Sequence, residues 1–332
     1  MTTATKTVSM NIVQAINQGL REMLREDKTV VLLGEDIGKN GGVFRVTDGL
    51  QAEFGADRVL DTPLAELGIM GASIGMALNG LKPVPEIQFD GFLPSVMDQV
   101  ISHLGRLRHR TNGKMSVPLV LRSPHGGMVH APEHHSESPE AYFTHTPGMK
   151  VVIPSTPTDA KGLIRAAIKD PDPVIFFEPK LLYRAFKEEV PEGPYETPIG
   201  KLRVAREGKD CTVIAWGAMV QTALKAADFL AANEKVSVEV LDLRTLSPLD
   251  LDGILASASK TGRVVIAHEA PKTSGLGAEI SALISERALL KLQAPIVRVA
   301  GWDTRLPLFR LEKYYYPDAG RIVRGVQQTL KF

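Results

Sequence analysis

Cysteine is nearly absent from this chain of 332 residues: Cys211 is the single one. That excludes a disulfide framework and any cysteine-based zinc motif, and it fits a reducing compartment. Cys211 lies in the apolar run CTVIAWG, where a buried, inert thiol is expected. No stretch approaches the roughly 18 apolar residues of a membrane span. The opening MTTATKTVSMN has no apolar run after a positive region, so no secretory signal is read there. Neither sign of charge is in excess, with 39 Lys+Arg against 38 Asp+Glu, which removes the basic field that nucleic acid requires. The expected protein is cytoplasmic, has no membrane or nucleic-acid partner, and takes a small molecule or another protein as its ligand. Walker, GxGxxG and HExxH patterns are all missing, so the glycine-rich stretches LGEDIGKNGGVFRVTDG and SGLGAEI read as ordinary turns.

What is present is a core large enough for two domains: 44% of the residues are hydrophobic, and a length well above roughly 150 residues argues for about two folding units. Apolar residues from Val8 to Leu24 recur at helical spacing and predict an amphipathic opening helix. The runs TVVLLGED, RVLDTP, KPVPEIQF, VPLVLRSP, MKVVIP and PVIFFEP read as buried strands. Between them lie the helical stretches AELGIMGASIGMALNG, a Pro94-initiated helix to about Arg110, and TPTDAKGLIRAAIKD. The basic run Arg106–Arg110 reads as a solvated helix end facing the helix dipole. Continuous apolar strands alternating with helices predict an α/β fold with mainly parallel sheets covered on both faces. The pattern fails at 183–200, where Pro191, Pro194 and Pro198 crowd a charged segment, so 1–182 and 201–332 are read as two domains joined by a linker. The later strands are CTVIAWG, VSVEVLDLRTL, RVVIAHEA and PIVRVAG.

Two places invite chemistry. The segment HAPEHHSESPEAYFTH gathers His130, His134, His135 and His145, four of the chain's 8 histidines. His130 and His134 have the i, i+4 spacing of a helical zinc site, but Pro132 interrupts any helix through them. A metal site, an idle surface turn and a loop carrying one working histidine remain as readings. The segment directly follows a predicted parallel strand, where α/β proteins place their chemistry, and this favours the third. The second place is Glu66, in the first turn of a helix whose Gly68, Gly71, Ala72 and Gly75 form a stripe of small residues. Such a stripe suits close helix–helix packing, including packing between subunits. Glu66 is either an ordinary helix-start acid favoured by the dipole or a carboxyl aimed at a nitrogen heterocycle.

In order along the chain, GGVFRVTDGL, DTPLAELGI, PVPEIQFDGF, LVLRSPHGG, HHSESPEAYFTHTPGMKVVIPSTPTDAKGL, PVIFFEPKLLYR and VLDLRTLSPLD resemble the β subunits of thiamine-diphosphate-dependent 2-oxo acid dehydrogenases. The resemblance runs from about Val8 to the end. It implies a transketolase-like pyrimidine-binding domain followed by a transketolase C-terminal domain, in an α2β2 heterotetramer. Thiamine diphosphate is then shared with the α subunit, which holds the diphosphate and magnesium; the chain itself has no GDG motif. Glu66, in DTPLAE, matches the glutamate that hydrogen-bonds the pyrimidine ring nitrogen and so helps the cofactor lose its thiazolium proton. Leu64, Gln88 and Phe92 match positions lining the ring. His135 matches the catalytic histidine that supplies a proton when the acyl group passes to the lipoyl sulfur of a dihydrolipoyl acyltransferase. His145 is shared by several relatives as a second-layer residue; the resemblance carries no role for His125, His130 or His134. Some relatives bind potassium through backbone oxygens at positions matching Val117, Leu119, Val120, Ala167, Asp170 and Asp172. The segments SPEAYFTH and HEAPKTSG lean towards the branched-chain 2-oxo acid branch, and GKDCTVIAWGAMV towards pyruvate dehydrogenase.

Overall fold

A computed structural model describes residues 6–332; residues 1–5, which open the segment read as lacking a secretory signal, lie outside the described residues. The chain divides into two units, one running to His125 and resuming at Tyr142–Ile199, the other made of Gly126–Ala141 and Gly200–Phe332.

The first unit opens on a strand, not a helix. β1 (Thr7–Met10) pairs antiparallel with β8 (Glu188–Pro191), from Thr7 opposite Pro191 to Met10 opposite Glu188. The predicted opening helix therefore begins later, as α1 (Ile12–Glu26). Asn11 decides the boundary: its side chain accepts from the Gln14 N–H at 3.0 Å while the Gln14 side chain accepts from the Asn11 N–H at 3.1 Å, a reciprocal cap. The same pairing places a strand inside 183–200, the segment read as linker. Proline at the end of an edge strand costs no ladder bond, so the composition of that segment concealed it.

The order continues β2 (Val30–Gly34), α2 (Leu50–Phe54), β3 (Val59–Asp61), α3 (Glu66–Leu78), β4 (Lys82–Glu86), α4 (Leu93–Met97), α5 (Leu107–Arg110), β5 (Val120–His125), α6 (Glu140–Thr144), β6 (Lys150–Val152), α7 (Pro157–Lys169) and β7 (Val174–Pro179). Strands lie in the order β6-β7-β5-β4-β2-β3, every neighbouring pair parallel. The predicted helix from Pro94 to Arg110 is helical throughout but irregular, passing through a π segment (Asp98–His103) and a 3-10 turn (Leu104–Arg106) between α4 and α5. A side chain at Gly105 would lie 3.0 Å from the Pro147 carbonyl, so the irregularity accompanies a close backbone crossing. On the outer face α1 packs on α7, where the fully buried Arg165 is paired with Glu22 at 3.0 Å and Glu26 at 2.9 Å.

The second unit contains β9 (Arg203–Arg206), β10 (Cys211–Ala215), α8 (Ala218–Glu234), β11 (Val238–Asp242), β12 (Thr245–Ser247), α9 (Leu251–Thr261), β13 (Val264–Pro271), α10 (Leu276–Ala288), β14 (Val297–Gly301), α11 (Phe309–Tyr315) and α12 (Ala319–Leu330). Its sheet runs β14-β13-β10-β11-β9, parallel except for the antiparallel β9. Val213, Val240, Val265 and Val299 from the sheet meet Ala223, Ala227 and Leu230 of α8 and Ile322 and Val326 of α12. Cys211 belongs to this core, and burial pushes its thiol up to about 12, which makes it inert at neutral pH.

Charge is buried towards the carboxyl ends of β4 and β7, around the middle of β5 between them. Arg122 on β5, 1% exposed, lies with Nη1 2.9 Å from Glu86 on β4 and Nη2 2.7 Å from Glu178 on β7. The Tyr183 hydroxyl donates to Glu178 at 2.7 Å. One guanidinium thus serves two carboxylates. Burial pushes Glu86 up to about 7, with the Glu178 charge adding to the rise and Arg122 opposing it. Folding therefore takes up a proton between the ordinary carboxyl value of 4.5 and about 7. Stability from this group is full below that window and declines as pH rises through it. Glu86→Gln is expected to flatten the fall in Tm between about pH 5 and 8. A variant whose Tm falls with pH as steeply as the parent's would contradict the assignment.

Candidate functional site

The strands of the first unit deliver their chemistry at their carboxyl ends. After β3, Leu64 stands 79% exposed and Glu66, half-buried, is the first residue of α3; the helix has no side-chain cap at Ala65. After β4 come Gln88 and Phe92, both half-buried. The Gln88 amide reaches Asp36 at 3.4 Å, and the Phe92 ring meets Phe89 edge-on at 6.0 Å. β2 pairs with both β3 and β4, so the four predicted ring contacts belong to adjoining strand ends. Asp61, ending β3, accepts the Gly38 N–H at 2.6 Å and the Lys39 N–H at 3.0 Å, anchoring the glycine-rich loop.

One acid of this group has no forerunner in the sequence reading. Glu35, ending the buried run of β2, is 5% exposed, and neither carboxylate oxygen has a hydrogen-bond partner among the described residues. Burial holds its carboxyl above the ordinary range, and the charges of Glu66 and Asp36 raise it further. An orphaned buried carboxyl beside Glu66, with Leu64 and Phe92 as apolar surfaces and the Gln88 amide as a polar one, fits a flat nitrogen heterocycle. The run LGEDIGKNGG carries turn signals but no motif that marks the acid at its start. On α3, a side chain at Gly75 would meet nothing within 4 Å, and Leu67 (48%) and Leu78 (37%) are exposed, so the helix offers an open small-residue face.

The histidine segment is divided between the units. His130, His134 and His135 belong to the second unit and His145, exposed after α6, to the first. His134 and His135 occupy a 3-10 turn, Glu133–His135, and not an α-helix. His135 is half-buried; its Nδ1 lies 3.0 Å from the His134 carbonyl and its ring 4.1 Å from that of His134. His134 and His130 are exposed, and His125 is buried at the end of β5. Among the described residues no group of three or more His, Cys, Asp or Glu side chains is arranged to hold a metal ion.

The loop before His135 is held by side chains far away in sequence. Met128 and His130 both have positive φ, 64° and 60°. Their amides converge on the Glu312 carboxylate of α11, 1% exposed: Met128 N–H donates to Oε1 and His130 N–H to Oε2 at 3.2 Å. The Tyr316 hydroxyl donates to the Ser136 carbonyl at 2.5 Å, and Gly127 lies so close to the Tyr316 ring that any side chain there would collide. Beyond the histidines, Trp216 Nε1 donates to Glu140 at 3.1 Å and stacks on His268 at 5.2 Å. Glu312 and Tyr316 carried no local motif; only the fold brings them to the loop.

At the potassium positions the side chains have other partners. Asp170 accepts Lys150 Nζ at 2.7 and 2.6 Å, and Asp172 pairs with Arg108 at 2.5 Å. The Leu119 carbonyl accepts the Val174 N–H at 2.9 Å and the Ala167 carbonyl the Asp170 N–H at 3.2 Å.

Glu312→Gln leaves one of the two amides without its acceptor, so the loop should loosen at a cost of about 1–3 kcal/mol. Faster amide exchange at Met128 and His130 with a lowered Tm is the expected result. Exchange unchanged from the parent would show that the loop does not depend on Glu312.

Residues 8–185 match the family described as Transketolase, pyrimidine binding domain, and residues 200–322 that described as Transketolase, C-terminal domain. The chain is 50% identical over 323 residues to the pyruvate dehydrogenase E1 component subunit beta of Bacillus subtilis, covering 97% of this chain and 99% of the relative. It is 49% identical over 324 residues to the mitochondrial 2-oxoisovalerate dehydrogenase subunit beta of Dictyostelium discoideum, covering 97% and 87%. A solved structure titled "Split gene transketolase, inactive beta4 tetramer" superposes with a TM-score of 0.78 at 24% identity, covering 97% of this chain and 98% of that one, a likeness of fold.

Proposed function

Because the chain belongs to the family of 2-oxo acid dehydrogenase β subunits, we propose that it works with an α subunit, as an α2β2 heterotetramer, in the oxidative decarboxylation of a branched-chain 2-oxo acid. The acyl group passes to the lipoyl group of a dihydrolipoyl acyltransferase. The single observation that carries the reading is the orphaned buried Glu35 beside Glu66 at the strand ends where Leu64, Gln88 and Phe92 also lie. Pyruvate is the second reading, favoured by the 50% identity to the Bacillus subtilis subunit. We take 1–182 as the pyrimidine-binding domain and 201–332 as the C-terminal domain.

Thiamine diphosphate, when bound, supplies the carbanion chemistry that side chains lack. In this chain Glu66 would hold the pyrimidine ring nitrogen by a hydrogen bond from its carboxyl. Leu64 and Phe92 would exclude water from the ring faces, and Gln88 would orient its polar edge. The diphosphate and magnesium are assigned to the α partner, since this chain has no GDG motif. His135 would move a proton to the departing lipoyl sulfur as a general acid. His145 is assigned a supporting role, and His130 and His134 none.

Glu66→Gln and His135→Ala, each in the complex reconstituted with the α subunit, test the roles. Glu66→Gln should lower turnover about 100-fold or more with every 2-oxo acid. His135→Ala should spare decarboxylation with an artificial electron acceptor while reducing lipoyl acylation about 100-fold. Normal turnover in Glu66→Gln, or activity from this chain alone, would sink the reading. A higher kcat/KM for 3-methyl-2-oxobutanoate than for pyruvate supports the first substrate; the reverse selects the second.

A monovalent cation enters the proposal only through backbone oxygens at Val117, Leu119, Val120, Ala167, Asp170 and Asp172, because the Asp170 and Asp172 carboxylates are paired with Lys150 and Arg108. Potassium at millimolar concentration should raise Tm above the value in equal sodium; identical melting in the two salts would remove it.

A further inference from the structure

The second unit contains a cavity of about 450 Å³ between the edge strand β14 and helix α12. Four of its lining residues are cations: Arg298 on β14, Arg321 and Arg324 on α12, and Lys272 after β13. Asp303 is the one acid among the described lining residues; its carboxylate accepts the Thr273 N–H and hydroxyl at 2.8 Å each and also faces Lys272. Like charges gathered in one concavity repel, and backbone dipoles relieve only part of that cost. Arg298 donates to the Lys272 carbonyl at 2.9 Å and Arg321 to the carbonyls of Ala300 at 2.5 Å and Tyr315 at 3.3 Å. These bonds orient the guanidinium groups without neutralising them. Arg321 also lies 4.4 Å over the Trp302 ring, which holds its planar fork in place. Burial lowers the Arg321 pKa; the Asp318 carboxylate opposes this and Arg324 adds to it.

We propose that this cavity binds a small phosphorylated molecule carrying two or more phosphoryl charges. Guanidinium forks match phosphate oxygens in pairs, and Lys272, which shares its charge with Asp303, adds a point charge. The volume falls within the usual range of small-ligand pockets, roughly 300–1,000 Å³, and the half-exposed Trp302 indole offers apolar surface for the organic part. α12 approaches β14 so closely that a side chain at Gly325 would lie 3.0 Å from Val299, so helix and strand pack tightly beneath the cavity.

Calorimetric titration of the full chain with inorganic pyrophosphate and with ADP tests this. Saturable binding is expected, weakening as salt screens it. Arg324→Ala, on the exposed face of α12, and Arg298→Ala should each weaken it about tenfold or more, with Arg287→Ala on α10 as the charge-matched control. Tighter binding of ADP than of pyrophosphate would assign Trp302 a share, and equal binding would assign recognition to the phosphates. No binding of either probe, or affinity lost equally in all three variants, overturns the site. Should Arg298→Ala melt early, Arg324→Ala alone decides.

Discussion

The first unit depends on one buried guanidinium. Parallel strands carry their functional groups at their carboxyl ends, and here those ends bring Glu86, Glu178 and Glu35 into a region with little solvent. Carboxylates buried together repel and lose hydration, so the sheet can close only if a cation is buried with them. Arg122, on the strand between the two that bear Glu86 and Glu178, meets both and leaves one negative charge in excess. Burial lifts the Glu86 carboxyl to about 7 against the pull of Arg122, and the charges of Glu178 and Glu35 add to the rise. Electrostatic strain is thus concentrated beside the residues assigned to the cofactor, as expected where function outweighs local stability.

A different device governs the second unit. The loop carrying His135 has little regular structure of its own, and two of its residues adopt a left-handed conformation that non-glycine side chains disfavour. Such a loop needs an external template. Glu312 takes two of its amides, Tyr316 one of its carbonyls, and Trp216 fixes Glu140 just beyond it. The proton transfer proposed for His135 would gain from this, because a rate that depends on geometry is lost when the donor wanders. The same unit gathers charge of the opposite sign at the β14–α12 cavity, where backbone carbonyls orient arginines that no lining acid neutralises.

Most of the architecture was legible in the residues. Buried runs such as VVLLG and VIFFEP are long enough and apolar enough to name their own strands, and the glycine-interrupted helix beginning at Glu66 is found where its periodicity placed it. The misreadings share one cause. Val8 fits both a helical period and a short edge strand, and only its partner Val190 decides between them. The prolines of 183–200 look like a linker until β1 supplies the pairing. The helix after Pro94 is irregular where it crosses, at Gly105, backbone some forty residues later, at Pro147.

By itself the sequence determined the alternation of strands and helices, the likeness to a family of β subunits, and the identity of Glu66 and His135 as candidates. These are properties of local pattern and residue type, and they survive without knowledge of neighbours. Tertiary structure alone decided that Glu35 is an orphaned acid beside Glu66, that Arg122 is shared by two carboxylates, that Glu312 holds the histidine loop, and that four cations line one cavity. Each is a matter of which charges share a low-dielectric space, and that is set by contacts between residues distant along the chain.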